Sequence, residues 1–318
     1  MRINNIHISG LLLTALLMLL SGCFNNTPGD KYTDTPTTGN VSIAVDETLR
    51  PVIDAELQVF HAVYQYATIR PEYLPETEVL KLILLDSVRL AICSRPLNDK
   101  EKSYFHSRKF FPQEVPFAID GIAVLVNHTN SDTLFSVSQI RKIMLGEISD
   151  WNQIRPGSKL GKIQVVFDHP QSSIVRFVAD SITKKGKFST QLSAMDHNMD
   201  VADFVSNTPG AIGLVGVSWI SDSRNPEILT LHKKIKVAGI SADEIANAQN
   251  SFQPFQADIA TGKYPFTRFL YLIISEPRAG LGTGLTSFIA SDKGQRIILK
   301  TGILPYNRVD RNVTIKAE

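Results

Sequence analysis

The stretch FAIDGIAVLVN, residues 117–127, decides the fold. It is rich in β-forming residues and carries Gly121 in mid-run, where the missing side chain allows a bend or the close approach of another backbone. On both sides of it, strand patterns alternate with helix patterns, which is typical of a mostly parallel α/β sheet. We therefore predict two α/β lobes with a cleft between them, and a first crossing between the lobes in this stretch.

The segment before this stretch predicts the first lobe. Residues 41–45 form a short apolar strand pattern, and the polar turn 46–48 then leads into an amphipathic segment with Pro51 in its first turn, a signature of a helix start. A second helix is predicted over residues 78–85 and a second strand over residues 88–93.

The segment after this stretch predicts the second lobe. A helix is expected over residues 138–145, ending at a glycine, and a strand over 163–167. A polar loop then leads into a helix that begins at Ile174, and residues 211–217 form another strand. The long apolar run 266–275 is expected to return the chain to the first lobe, which a helix over 285–300 closes.

The N-terminus is typical of an export signal. After Arg2, residues 8–20 are almost wholly apolar, and these thirteen residues are too few for a stable membrane span but suit a signal peptide. The ending Leu-Ser-Gly-Cys at 20–23 is similar to a bacterial lipobox, so we predict lipid attachment at Cys23; the alternative is a secretory signal with an incidental cysteine. The predicted organisation is a lipoprotein signal peptide (1–22), a flexible tether (23–40), a first lobe (41–118 and 264–318) and a second lobe (119–263).

Composition excludes several function classes. Lys and Arg total 33 against 31 acidic residues, so no basic surface exists for binding a nucleic acid by bulk charge. The histidines show no metal-binding spacing and no serine lies in a G-x-S-x-G turn, so we predict no catalytic residue, no metal and no cofactor. Cys93, in an apolar run, is expected to be buried.

Hydroxyl side chains follow several predicted strands. Thr48 and the pair Ser172 and Ser173 lie at strand-to-helix turns, and Ser94 ends a strand. Ligands of open α/β sheets bind at the carboxyl ends of strands, and helix N-termini offer unpaired N–H groups to an anion. These four residues are therefore candidate ligand-binding residues, with simple helix capping as the alternative.

Five segments, in order, resemble the phosphate-binding protein of bacterial phosphate ABC transporters, within the type II periplasmic binding protein class. The resemblance runs from about residue 41 to residue 305. The five segments are AICSRPL (91–97), AIDGIAV (118–124), LGEISDW (145–151), GAIGLVG (210–216) and GQRI with GILP (294–305). The resemblance implies a two-lobed α/β fold, each lobe a mixed, mostly parallel sheet flanked by helices, with the ligand in the cleft.

Two charged residues depart from the family pattern. Members of the family bind the anion with a Gly-Ser-Gly-Thr turn and with an arginine four residues before the serine. Here residues 168–173 read DHPQSS, and Asp168 takes the place of the arginine. Arg95 stands where family members carry an aspartate. We therefore expect the positive and the negative residue of a charge pair to have exchanged sides of the cleft. Arg95 would then bind the anion, and Asp168 would accept a hydrogen bond from the proton of monohydrogen phosphate. The alternatives are an ion pair of Arg95 with Asp99 or Glu101 and, for Asp168, a turn role or an ion pair with Arg95. Arg176 is expected to be solvated.

The resemblance implies a lipid-anchored, monomeric solute-binding protein of the bacterial cell envelope. It would capture an inorganic oxyanion, with phosphate as the leading candidate, and deliver it to ABC permease subunits, with no nucleic-acid partner and no enzymatic activity. Two alternatives stay open. One is the same fold acting as a sensor or as a binding protein for a different ligand, and the other is a serine hydrolase that uses Ser172 or Ser173.

Overall fold

The computed structural model describes residues 34–186, 188, 192–222 and 224–307. The predicted signal peptide, Cys23 and most of the predicted tether lie outside these residues. The described strands are β1 (Gly39–Asp46), β2 (Ala67–Leu74), β3 (Leu90–Cys93), β4 (Gln113–Asn127), β5 (Leu134–Ser136), β6 (Gln164–Phe167), β7 (Leu192–Ala194), β8 (Ala211–Gly216), β9 (Ile235–Val237), β10 (Gly239–Ser241), β11 (Thr267–Ile274) and β12 (Leu304–Pro305).

Helices flank these strands. The described α-helices are α1 (Arg50–Val63), α2 (Glu76–Leu84), α3 (Asp99–Ser107), α4 (Val137–Leu145), α5 (Ser173–Phe177), α6 (Asn198–Asn207), α7 (Pro226–His232), α8 (Gln256–Ala260), α9 (Leu281–Ala290) and α10 (Asp292–Lys300). A π-helical turn (Val178–Ile182) continues α5, and single 3-10 turns occupy Glu47–Leu49, Trp151–Gln153 and Val217–Trp219. Within the described ranges, no helix is both long enough and apolar enough to span a membrane.

The long strand β4 joins two halves of the sheet. Its first half, up to Gly121, pairs antiparallel with β11, which continues through β3 to the parallel strands β1 and β2. Its second half, from Ile122, pairs antiparallel with β8, which continues through the parallel strands β6 and β7. The strand order is therefore β2-β1-β3-β11-β4-β8-β6-β7, with β9 and β12 also paired to β4.

Gly121 lies where β4 changes partner. A Cβ atom built there would lie 2.8 Å from the Cβ of Pro254, closer than such atoms approach in proteins. The glycine therefore permits the close packing that its position in the strand predicts.

The buried side chains form separate clusters in the two halves. Ile43, Phe117 and Leu285 belong to a cluster beneath the first half, whereas Ile122 and Trp151 belong to one beneath the second. This is the two-lobed mixed α/β architecture predicted from the sequence. The lobe boundaries themselves, at 118/119 and 263/264, stay a prediction.

Local details differ from the sequence pattern where tertiary contacts decide. Strand β2 is not predicted, because it contains Pro71; it lies at the sheet edge and pairs with β1 alone, where a missing N–H is tolerated. The closing helix is divided into α9 and α10 at Ser291, whose hydroxyl caps α10. The glycine-rich segment 280–284 forms the start of α9, with Gly280 as its N-cap.

The last part of the predicted tether is structured. The carboxylate of Asp34 accepts a hydrogen bond from the Leu281 N–H at 2.6 Å, at the start of α9, and β1 begins at Gly39. Burying an N-terminal N–H group of a helix without a partner is costly, so a carboxylate there is stabilising. The prediction of a flexible segment up to residue 40 therefore extends too far.

Glu56 on α1 is fully buried, and neither of its carboxylate oxygens has a hydrogen-bond partner among the described residues. Burial raises the pKa of Glu56 to about 9. The folded state therefore holds a proton that the unfolded chain releases near its ordinary pKa of about 4.3. The contribution of Glu56 to stability is fully present below that value and is lost as the pH rises towards 9, by up to about 1.4 kcal/mol per pH unit.

We expect Glu56→Gln to remove most of this dependence, because glutamine cannot ionise. Urea unfolding from pH 5 to pH 9 measures it, and Glu244→Gln, at an exposed position, is the control. If wild type and Glu56→Gln lose stability in parallel over this range, Glu56 is not the group responsible.

Candidate functional site

Three predicted hydroxyl residues converge at the carboxyl ends of strands. Thr48 follows β1, Ser94 follows β3, and Ser173 begins α5 after β6. The Thr48 and Ser173 hydroxyl oxygens lie 3.0 Å apart, and all three side chains are buried. The convergence follows from topology, because these strand ends meet at one edge of the folded sheet.

Arg268 on β11 lies at the centre of this cluster. Its Nη1 donates to the Ser173 hydroxyl at 2.6 Å and lies 3.4 Å from the Ser94 hydroxyl, while its Nη2 donates to Thr48 Oγ1 at 3.0 Å. The guanidinium is buried. Arg268 is not among the predicted site residues. It is the single charged residue in the apolar run 266–275, and this signal could have identified it.

Asp120 on β4 compensates the charge of Arg268. The two residues are directly opposite in the β4–β11 ladder, and Asp120 Oδ2 accepts from Arg268 Nε at 3.1 Å and from Nη2 at 2.9 Å. Burial raises the pKa of Asp120, and Arg268 counteracts this effect. Asp120 was not predicted as a site residue either.

Asp168 is buried beside the cluster, and within the described part of the chain it forms no ion pair or hydrogen bond with an arginine. It accepts a hydrogen bond from the Ser172 hydroxyl and another from Asn198 Nδ2 at 3.0 Å. Burial raises the pKa of Asp168 to about 7, and repulsion from neighbouring carboxylates adds to this effect. Ser172 also caps α5 by accepting from the Val175 N–H at 3.2 Å, so its hydroxyl is engaged on both sides.

Two further carboxylates line the same edge. Asp46, which ends β1, accepts from the Thr48 N–H at 3.1 Å through Oδ1, while its buried Oδ2 has no partner among the described residues. Burial, reinforced by repulsion from Glu76, raises the pKa of Asp46 to about 6. Glu47 accepts from Asn198 Nδ2 at 2.7 Å, and burial raises its pKa too.

The structure does not bring Arg95 to the cluster. Its guanidinium forms a bidentate pair with Glu101, with both distances 2.7 Å, at the start of α3. Glu101 is held there by its capping interaction with Asn98. The alternative interpretation of Arg95, an ion pair with the next helix, is therefore the one that the geometry supports.

Arg176 on α5 takes a place at the cluster instead. Its Nη2 donates to the Ser94 hydroxyl at 2.9 Å, and its Nε and Nη2 contact the carboxylate of Glu76 at the start of α2. The expectation that Arg176 is solvated is wrong, because its guanidinium pairs with Glu76, which lies a hundred residues away in sequence.

Trp219 also reaches the edge where the cluster lies. Its indole N–H donates to the Thr48 carbonyl at 2.9 Å. Trp151, by contrast, is fully buried in the core of the second half.

The cluster provides donors suited to an anion. Two guanidinium groups and three hydroxyls face one edge, and an arginine fork forms charge-assisted hydrogen bonds to an oxyanion. Among the described residues, no group of three or more His, Cys, Asp or Glu side chains is arranged to hold a metal ion.

Comparison with known proteins agrees with the fold. Residues 30–293 match the model of the PBP superfamily domain. The chain belongs to this superfamily. Among curated relatives, the phosphate-binding protein PstS of Bacillus subtilis is 22% identical over 311 residues, which cover 96% of this chain and 94% of the relative.

Solved structures give the same result. A Clostridium perfringens protein, described as a phosphate ABC transporter substrate-binding protein with bound phosphate, matches with a TM-score of 0.71 and 20% identity, covering 85% of this chain and all of that one. An ABC-type phosphate transport receptor from Vibrio cholerae matches with a TM-score of 0.62 and 17% identity, covering 84% of this chain and all of that one. Together with the family match, these structures confirm the type II periplasmic binding protein fold.

We expect the buried pair to be needed for stability. Asp120→Asn leaves the buried charge of Arg268 without its counter-ion, which costs about 3–5 kcal/mol. Asp222→Asn is the matched control, because Asp222 pairs with Arg224 on the surface, where an ion pair contributes about 0–1 kcal/mol. Guanidinium unfolding measures both, and equal losses would contradict the role assigned to the buried pair.

Proposed function

We propose that this protein is a solute-binding protein that captures an inorganic oxyanion, phosphate first among them, and delivers it to an ABC permease. The observation that carries the proposal is the buried guanidinium of Arg268, which donates to Thr48 and Ser173 at the edge where strand ends meet. A ligand there would exchange these internal hydrogen bonds for its own, and the proposed work is reversible binding coupled to hinge closure, without covalent chemistry.

The carboxylates at the same edge support a ligand that carries protons. The free Oδ2 of Asp46 and the side chain of Asp168 are acceptors, so a hydroxyl of a protonated oxyanion finds a partner there. A fully ionised oxyanion of the same shape would face these acceptors with oxygens alone, which is unfavourable. The phosphate-binding names of the relatives support the same ligand.

Calorimetric titration with phosphate tests the proposal. We expect wild type to bind and Arg268→Lys to bind at least about tenfold more weakly, because a charge-assisted hydrogen bond contributes roughly 1.5–3 kcal/mol and lysine cannot reproduce the fork. Arg95→Ala is the matched control, since Arg95 is paired with Glu101, and we expect its affinity to stay within about twofold.

Circular dichroism of each variant shows whether it is folded. A wild-type protein that gives no heat with phosphate, sulfate, molybdate or tungstate would contradict oxyanion capture. In that case the fold would serve as a sensor or bind another solute. A loss in Arg95→Ala as large as that in Arg268→Lys would contradict the site assignment.

We also propose that the protein is exported as a monomer and anchored to the cell envelope by lipid on Cys23. The proposal rests on the sequence, since Leu-Ser-Gly-Cys ends the apolar run. A diacyl or triacyl modification gives stable membrane binding where a single chain does not.

Cys23→Ala is expected to leave an unprocessed precursor or to release the protein from the membrane. Detergent partitioning and intact mass of the wild type and the variant measure this, with Cys93→Ala as the control, because that thiol is buried in the core. Unchanged mass and partitioning in Cys23→Ala would contradict the anchor.

A further inference from the structure

Glu76 is held in the structure as a bound anion would be. Its Oε1 accepts from the Ser94 N–H at 3.1 Å and from the Ser94 hydroxyl at 2.9 Å. Two nitrogens of the Arg176 guanidinium donate to the same carboxylate, and the side chain is buried. A backbone N–H, a hydroxyl and an arginine fork are the donor set that recognises an oxyanion.

The helix position alone does not account for this arrangement. Glu76 and Glu78 both lie in the first turn of α2, where a negative charge is favourable. The Glu78 side chain nevertheless stays partly exposed and pairs with Lys81 at the surface. The donors from the end of β3 and from α5 therefore decide where the Glu76 side chain points.

Ser94 connects Glu76 to the Arg268 cluster. Its hydroxyl accepts from Arg176 at 2.9 Å, lies 3.4 Å from Arg268 Nη1 and donates its single proton to Glu76. That proton is then not available to a solute bound at Arg268. Glu76 also neutralises Arg176, which is the second positive charge at this edge.

We propose that Glu76 is an internal carboxylate ligand that competes with the solute for Ser94 and Arg176 and thereby restricts the cleft to oxyanions of low charge. The inference rests on the proposed oxyanion site and identifies Glu76 as a residue that determines its charge specificity. A dianion suffers twice the repulsion from this carboxylate that a monoanion suffers, so the effect of Glu76 depends on ligand charge.

The neighbouring groups agree with a charged Glu76. Burial alone would raise its pKa, but the hydrogen bonds and charge of Arg176 outweigh burial, and the pKa of Glu76 lies below its ordinary value. Burial raises the pKa of Asp46, across the edge, and repulsion from Glu76 adds to this effect. Glu76 therefore contributes a fixed negative charge at neutral pH.

Titrations at one pH with two tetrahedral anions, sulfate (dianionic) and perchlorate (monoanionic), test the proposal. We expect Glu76→Gln to bind sulfate at least tenfold more tightly than wild type, and to change perchlorate binding less than threefold. Glu78→Gln removes a carboxylate from the same helical turn at the surface, and we expect it to change neither. A general loosening of the structure would instead weaken the binding of both anions.

The double variant Glu76→Gln with Arg176→Met checks the route of the effect. We expect it to lose most of the sulfate gain, because that gain comes from the released arginine, and retention of the full gain would overturn the proposal. If Glu76→Gln does not fold, Arg176→Met alone is titrated. This variant leaves the charge of Glu76 uncompensated, so we expect it to weaken sulfate binding more than perchlorate binding. Equal effects on the two anions would overturn the proposal.

The outcomes separate this inference from the proposed function. Phosphate binding by wild type without a sulfate gain in Glu76→Gln overturns the role of Glu76 and leaves oxyanion capture intact. Sulfate or phosphate binding that appears only in Glu76→Gln supports the role of Glu76 and overturns phosphate capture by the wild type. Absence of binding in every variant overturns both.

Discussion

The candidate site depends on the buried ion pair between Arg268 and Asp120. A guanidinium taken out of water is strongly unfavourable unless a carboxylate and further hydrogen-bond partners surround it. The ladder between β11 and β4 supplies the carboxylate directly opposite, and Thr48 and Ser173 accept the remaining N–H groups. Because β4 continues into the second half of the sheet, this pair also fixes the strand that joins the two halves.

Charge is distributed unevenly around this pair. Two arginines face one edge together with five buried or nearly buried carboxylates: Asp46, Glu47, Glu76, Asp120 and Asp168. Burial raises the pKa of Asp168 to about 7 and that of Asp46 to about 6, so both are poised to hold or accept a proton near neutral pH. An edge of this kind favours a ligand that brings both negative charge and hydrogen-bond donors, which is the chemistry of a partly protonated oxyanion.

The sequence predicts the parts of the site that follow from local pattern and topology. Thr48, Ser94 and Ser173 follow strands, and the carboxyl ends of strands in an α/β sheet lie at one edge. Their convergence can therefore be predicted without knowing the register in which the strands pair. Arg268 and Asp120 could not be paired in this way, because their contact depends on the register of two strands about 150 residues apart in sequence. A charged residue inside an apolar strand run is nonetheless a signal that sequence reasoning can use, since burial there demands a partner.

Sequence proximity to Ser94 favoured Arg95 as the arginine of the site, whereas the structure places Arg176 beside the Ser94 hydroxyl. Arg95 lies beside Ser94 in sequence, but Glu101, six residues on, satisfies it within its own lobe. Arg176 lies 3.7 Å from the partly exposed Asp180 in the π-helical turn that continues α5, but its shorter contact is with Glu76, a hundred residues away in sequence. The positive charge at this edge therefore comes from Arg268 on β11 and Arg176 on α5. Both guanidinium groups reach the edge where the strands end through contacts between residues far apart in sequence, which a local pattern cannot predict.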